Sequence, residues 1–113
     1  MMDALPLGKA LRAKKLSCVE VMTAYLDHID RFNPQVNAIV SMRERKELLA
    51  EAATRDAQLA RGEDMGPLHG LPQAIKDLAS TKGLRTTQGS PIFKDTIPEA
   101  DALFVERMRN AGA

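Results

Sequence analysis

A chain of 113 residues has room for one domain and one core, and a domain of that size buries roughly two-thirds of the surface its unfolded form exposes. Sixteen basic against fifteen acidic residues leave a net charge of +1, too small a field to argue for a nucleic acid or an anionic membrane as partner. No apolar run approaches the ~18 residues of a membrane helix, and Met1-Met2-Asp3-Ala4-Leu5-Pro6 lacks the basic start and long apolar run of a secretory leader, so the expected location is the cytoplasm.

The hydrophobic fraction of 44% and charged fraction of 27% are ordinary for a globular chain. Aromatic residues are scarce, however. With three Phe, one Tyr and no Trp, the core has to be built from Leu, Ile, Val, Met and Ala, and it reads as a core short of partners. The lone cysteine, Cys18, has no internal disulfide partner.

In chain order, Leu7, Ala10, Leu11 and Lys14 stand at helical spacing behind Pro6, predicting a short helix over 4–14. Ser17 followed by Glu20 is a capping-box pattern. Behind it Cys18, Val21, Met22, Tyr25, Ile29 and Phe32 recur at steps of three and four, predicting a helix of about four turns that ends at Asn33-Pro34. Cys18 lies on the apolar side and reads as a small buried hydrophobe. His28, between Asp27 and Asp30, reads as a solvated helix residue, with no second ligand at metal-binding spacing. Asn37-Ala38-Ile39-Val40-Ser41-Met42 is short and β-branched, a candidate strand. Residues 43–61 are charged and alanine-rich, a helix with a solvated face closed by Gly62. Near the end, Asp101 is the expected N-cap of a helix carrying Leu103, Phe104, Met108 and Ala111, closed by Gly112. A returning strand is expected beyond Ala113.

The chemistry lies in the middle, in Gly66-Pro67-Leu68-His69-Gly70-Leu71-Pro72-Gln73-Ala74-Ile75-Lys76-Asp77. Gly and Pro punctuate its start, and Leu71, Ala74 and Ile75 form a short apolar run read as a buried strand that delivers Lys76 to its far end. A lysine so placed is partly desolvated, which disfavours the ammonium form and allows it to act as a base. From the residues alone, a surface lysine with a packed stem, paired with an acid such as Asp77, is the better reading. Asp77 points to the opposite strand face and reads as a structural hydrogen-bonding group. His69 sits in a Gly-Pro turn without a nucleophile or carboxylate at a recognisable spacing, and reads as structural. Gly89-Ser90-Pro91 reads as a capped turn. No phosphate loop, zinc-ligand set or H-E-x-x-H pattern occurs, and no cofactor is expected.

The run from Gly66 to Asp77, the following Thr81-Lys82-Gly83-Leu84-Arg85-Thr86-Thr87-Gln88-Gly89-Ser90, and Asp101-Ala102 leading to Ala111-Gly112-Ala113 together resemble the amidase signature family. The resemblance extends back through the Ser17 to Phe32 helix and covers nearly the whole chain. It implies an α/β fold: a helical lead-in over 1–36, then over 37–113 the first strands and helices of a mixed-sheet α/β/α core, incomplete within these 113 residues. It further implies hydrolysis of carbon–nitrogen amide bonds by a serine nucleophile, a second serine in a cis peptide, and a lysine matched here by Lys76. The serines at 17, 41, 80 and 90 fall in no glycine- and serine-rich run, so neither catalytic serine has a matching position.

The resemblance therefore implies an amidase-type hydrolase represented by its lysine-bearing N-terminal part and inactive alone. Its substrate when completed would be a small-molecule amide, with a complementing C-terminal chain or self-association as partners. It equally fits the A subunit of a transfer RNA-dependent amidotransferase. A different reading is a short non-enzymatic relic that binds a partner through unpaired apolar helix faces.

Overall fold

The structure, a computed structural model, describes residues 2–113. Four α-helices and one 3₁₀ turn make up its regular structure: α1 (Ala4–Arg12), α2 (Cys18–Val36), α3 (Arg45–Ala60), the turn Pro91–Phe93, and α4 (Leu103–Asn110). The two expected strands do not form, and no strand pairing occurs among the described residues. The described residues form a helical assembly with long irregular connections, and the expected mixed sheet does not appear among them.

The reason is local for the first segment. The Asn33 side chain accepts from the Ile39 N–H at 2.8 Å and donates to the Ile39 carbonyl at 3.0 Å, occupying both groups that a neighbouring strand would bond. For the second, Leu71 N–H turns back to the Leu68 carbonyl and Ala79 N–H to the Lys76 carbonyl. Those turns bracket a segment alongside which no other backbone runs as a ladder.

The helices start and stop for identifiable reasons. The Ser17 hydroxyl accepts from Glu20 N–H while the Glu20 carboxylate accepts from Ser17 N–H, the reciprocal capping box expected. α2 outruns its expected end: Pro34 sits in the last turn, where it forgoes a single bond, and Asn37 in the left-handed region (φ 47°) closes the helix by donating to the Asn33 carbonyl at 2.7 Å. α3 ends in a Schellman motif, with Gly62 at φ 83° and the Glu63 N–H returning to the Gln58 carbonyl at 2.9 Å. For α4 the expected cap is corrected. Asp101 is drawn away by the Lys82 N–H and by Arg109 (2.9 Å), leaving Ala102 at the N-cap position without a side-chain bond.

One core joins α1, α2, α3 and the start of the central stretch through Leu7, Leu11, Cys18, Val21, Ala52 and Leu71. The stripe of α2 also differs from the periodicity. Leu26 is buried, whereas Tyr25 and Phe32 are exposed, and Phe32 is flanked instead by its own helix, with His28 at 4.5 Å between ring centroids and the Arg31 guanidinium 5.0 Å from the ring. In α4 the buried residue is Val105, while Leu103 and Phe104 face solvent. α2 packs along α3, and Arg45 links the two by ion pairs to Asp27 and Asp30.

Candidate functional site

The central stretch divides into an anchored half and a free half. In the anchored half, Leu68 N–H donates to the Ala111 carbonyl and Gly70 N–H to the Gly112 carbonyl, each at 2.9 Å, so the turn after Gly66 lies against the end of α4. Glycines permit both this approach and the contact of the turn with α2. A Cβ on Gly70 (φ 73°) would stand 2.3 Å from the Cys18 Sγ, and one on Gly112 (φ 97°) 2.8 Å from the His69 Cα. Arg55 of α3 closes the arrangement by donating to the Ala113 carbonyl at 3.1 Å.

His69 is the buried centre of this half, 1% exposed. Its Nδ1 accepts from the Met65 N–H at 3.0 Å, which requires that nitrogen to be unprotonated, so Nε2 carries the hydrogen and donates to the Arg55 carbonyl at 3.0 Å. Asp64 lies 3.8 Å from Nδ1, but with that nitrogen acting as acceptor the contact is not an ion pair. Both ring nitrogens are committed to backbone groups, the structural role the sequence indicates.

Cys18 is likewise fully buried, beneath Gly70 and at the first turn of α2. Burial, reinforced by the neighbouring Asp56 carboxylate, pushes its thiol up to about 12. Asp56 has a second task. Reaching across from α3, it accepts from the Cys18 N–H at 2.7 Å and the Val19 N–H at 3.1 Å, placing an anion on the otherwise unpaired N–H groups that open α2.

In the free half, Ala74 and Lys76 are exposed and Ile75 is half-buried. The expectation of a lysine desolvated at the end of a buried strand is corrected: without a sheet over it, Lys76 stands in solvent. Asp77 is engaged beside it. Its carboxylate accepts from the Thr87 N–H at 2.7 Å and from the Thr87 hydroxyl, and Thr87 Oγ1 accepts in turn from the Gly89 N–H at 3.2 Å. These bonds, with the Thr87 hydroxyl the largest cause, hold the Asp77 carboxyl below its ordinary range. Ser90 Oγ accepts from Ile92 N–H at 3.3 Å and caps the 3₁₀ turn, as its Gly-Ser-Pro setting indicates.

The structure therefore brings together His69, Gly70, Cys18 and Gly112 on one side, and Asp77 and Thr87 on the other, with Lys76 next to Asp77 in the chain and its side chain exposed. Asp56, Arg55 and Thr87 are not evident in the sequence. Their partners lie between 10 and 58 residues away, beyond the reach of any spacing pattern. Among the described residues, no group of three or more His, Cys, Asp or Glu side chains stands close enough to hold a metal ion, and no helix is long and apolar enough to cross a membrane.

The family model described as Amidase matches residues 20–113, five-sixths of the chain and every residue of this site but Cys18. The chain belongs to the amidase family. It is 43% identical over 113 residues to the A subunit of the glutamyl-tRNA(Gln) amidotransferase of Carboxydothermus hydrogenoformans, covering 99% of this chain and 23% of that protein. It is 37% identical over 111 residues to an acylamidase of Rhodococcus erythropolis, covering 98% of this chain and 23% of the relative. The fold superposes on the peptide amidase of Stenotrophomonas maltophilia with a TM-score of 0.87 and 34% identity, over 99% of this chain and 23% of that one. This amidase-family chain thus spans about a quarter of the length of the relatives it matches.

Proposed function

We propose that these residues supply the lysine of an amidase-type hydrolase that cleaves carbon–nitrogen amide bonds, with Lys76 as the proton carrier. The observation that carries this reading is Lys76-Asp77 standing within the family match, between an anchored Gly66 to Leu71 turn and the Thr86 to Ser90 segment. In the mechanism a neutral Lys76 amine takes the proton of the nucleophilic serine, relayed through a bridging serine in a cis peptide, as the serine oxygen attacks the amide carbon. The same proton then passes to the departing amine. The two serines come from outside these 113 residues, so this stretch alone is inactive. The solvent exposure of Lys76 fits that division, because the surface closing over it has to come with the serines.

Two relatives support two variants of the reading: amide hydrolysis as an end in itself, after the acylamidase, and release of ammonia for a transfer RNA-linked acceptor, after the amidotransferase. The non-enzymatic reading, a partner-binding chain, rests on the exposed Leu78, Ile92, Ile97, Leu103 and Phe104. The test is capture of the native gene product from its own cells with an antibody to residues 66–90, followed by intact mass and hydrolysis of an aryl amide. A species several times heavier than 12.4 kDa that hydrolyses the amide is expected. A 12.4 kDa species without turnover would favour the partner-binding reading.

A further inference from the structure

In the free half, one side chain links the turn at Lys76 to the Thr86 to Ser90 segment, while Ser80 just after that turn is held by the Ala102 N–H at 2.8 Å. Lys76 to Ala79 is a single turn closed by the Ala79 N–H to Lys76 carbonyl bond at 3.0 Å, and between Leu71 and that turn no backbone bond ties the segment down. What joins it to the next segment is Asp77, whose two oxygens take the N–H and hydroxyl of Thr87, while Thr87 Oγ1 takes the Gly89 N–H. The Thr87 hydroxyl donates to one carboxylate oxygen and accepts from Gly89, so one side chain orders three consecutive residues in front of Ser90. Gln88 between them lies in the left-handed region at φ 53°, inside a turn that the Ser90 N–H closes on the Thr87 carbonyl at 2.9 Å and that the Thr87 side chain ties to Asp77. The far side of the same segment is pinned separately, Thr86 N–H donating to the Thr96 carbonyl at 3.0 Å.

We infer that Asp77 is a positioning residue: through Thr87 it fixes the direction in which the adjacent Lys76 leaves the backbone and the path of the Gln88-Gly89-Ser90 backbone beside it. This rests on the reading of Lys76 as proton carrier. Asp77 touches neither substrate nor transferred proton. It sets the geometry that a bridging serine has to meet, and a displacement of about 1 Å at such a point costs on the order of 100-fold in rate.

The experiment uses the native gene product and four variants, Lys76→Ala, Asp77→Asn, Thr87→Val and Thr87→Ser, read by kcat and KM on one aryl amide and by hydrogen exchange over residues 85–90. Thr87→Ser keeps the hydroxyl and is expected to retain near-normal kcat. Asp77→Asn and Thr87→Val are expected to lose about 100-fold in kcat, with KM within about twofold and faster exchange over 85–90. A merely structural role would give parallel losses of folded protein, with kcat per folded molecule unchanged. Normal kcat in Asp77→Asn beside an inactive Lys76→Ala would overturn this inference alone. Retained activity in Lys76→Ala would overturn the reading beneath it, whatever the exchange shows.

Discussion

The anchored region built from α1, α2, α3 and the Gly66 to Leu71 turn contrasts with the segment from Pro72 to Glu99. The first closes on itself. Its buried residues come from every element, the start of α2 is satisfied by Ser17, Glu20 and Asp56, and His69 ties the turn to the Arg55 carbonyl of α3. The second contains one 3₁₀ turn, is tied by a few polar bonds, and turns Leu78, Ile92 and Ile97 to solvent, Ile92 at 86% exposure. The candidate chemistry sits at the start of the second, immediately after the rigid turn of the first. The chain thus changes character between the buried Leu71 and the exposed Lys76, and the proposed role of Lys76 as a base draws on that exposed position.

Substitutions can break this contrast from the anchored side. Gly70→Ala is expected to cost most, about 2–4 kcal/mol, because the new Cβ meets the buried Cys18 Sγ and the backbone is in a left-handed conformation; urea unfolding measures it. Asp56→Ala should cost about 1–2 kcal/mol, since the first N–H groups of α2 lose their anion. It should also make the Cys18 thiol easier to ionise, which the rate of Ellman labelling reads independently.

Cys18 supplies a test by pH. The unfolded thiol ionises near its ordinary 9.0, whereas the folded one keeps its proton to about 12. Stability from this group is therefore intact below pH 9 and falls as pH rises from about 9 to about 12. Denaturant midpoints across that range should decline in the parent and much less in Cys18→Ala. The smallest effect is expected in the open segment: Ile92→Lys should change stability by less than about 0.5 kcal/mol, as for a surface position. A loss approaching that of Gly70→Ala would show that the segment carries a core of its own.

The capping box at Ser17, the glycine ends of α3 and α4, and the cap at Ser90 were legible in the sequence because each is decided within four or five residues, whereas the structural role of His69 also draws on the Arg55 carbonyl fourteen residues earlier. The strands were not. A β-branched run such as Asn37 to Met42 states a preference for extended backbone, but a strand exists only with a partner, and here the Asn33 amide takes the Ile39 bonds first. The same lack of a covering sheet explains why Lys76 is exposed rather than desolvated. Asp101 misled for a related reason: it has the chemistry of a cap, yet a backbone N–H nineteen residues earlier in the chain competes for its carboxylate. The expected strand turned Asp77 to its opposite face and so marked it for hydrogen bonding; the strand does not form, and the folded chain shows Thr87 as the partner.

The measurement that bears most directly on the central claim is amide hydrolysis by the native gene product carrying Lys76→Ala. The proposed role predicts that Lys76→Ala lowers kcat by about 10²–10⁴-fold while leaving folding and KM nearly unchanged. Turnover by Lys76→Ala at the rate of the parent would contradict the assignment of Lys76.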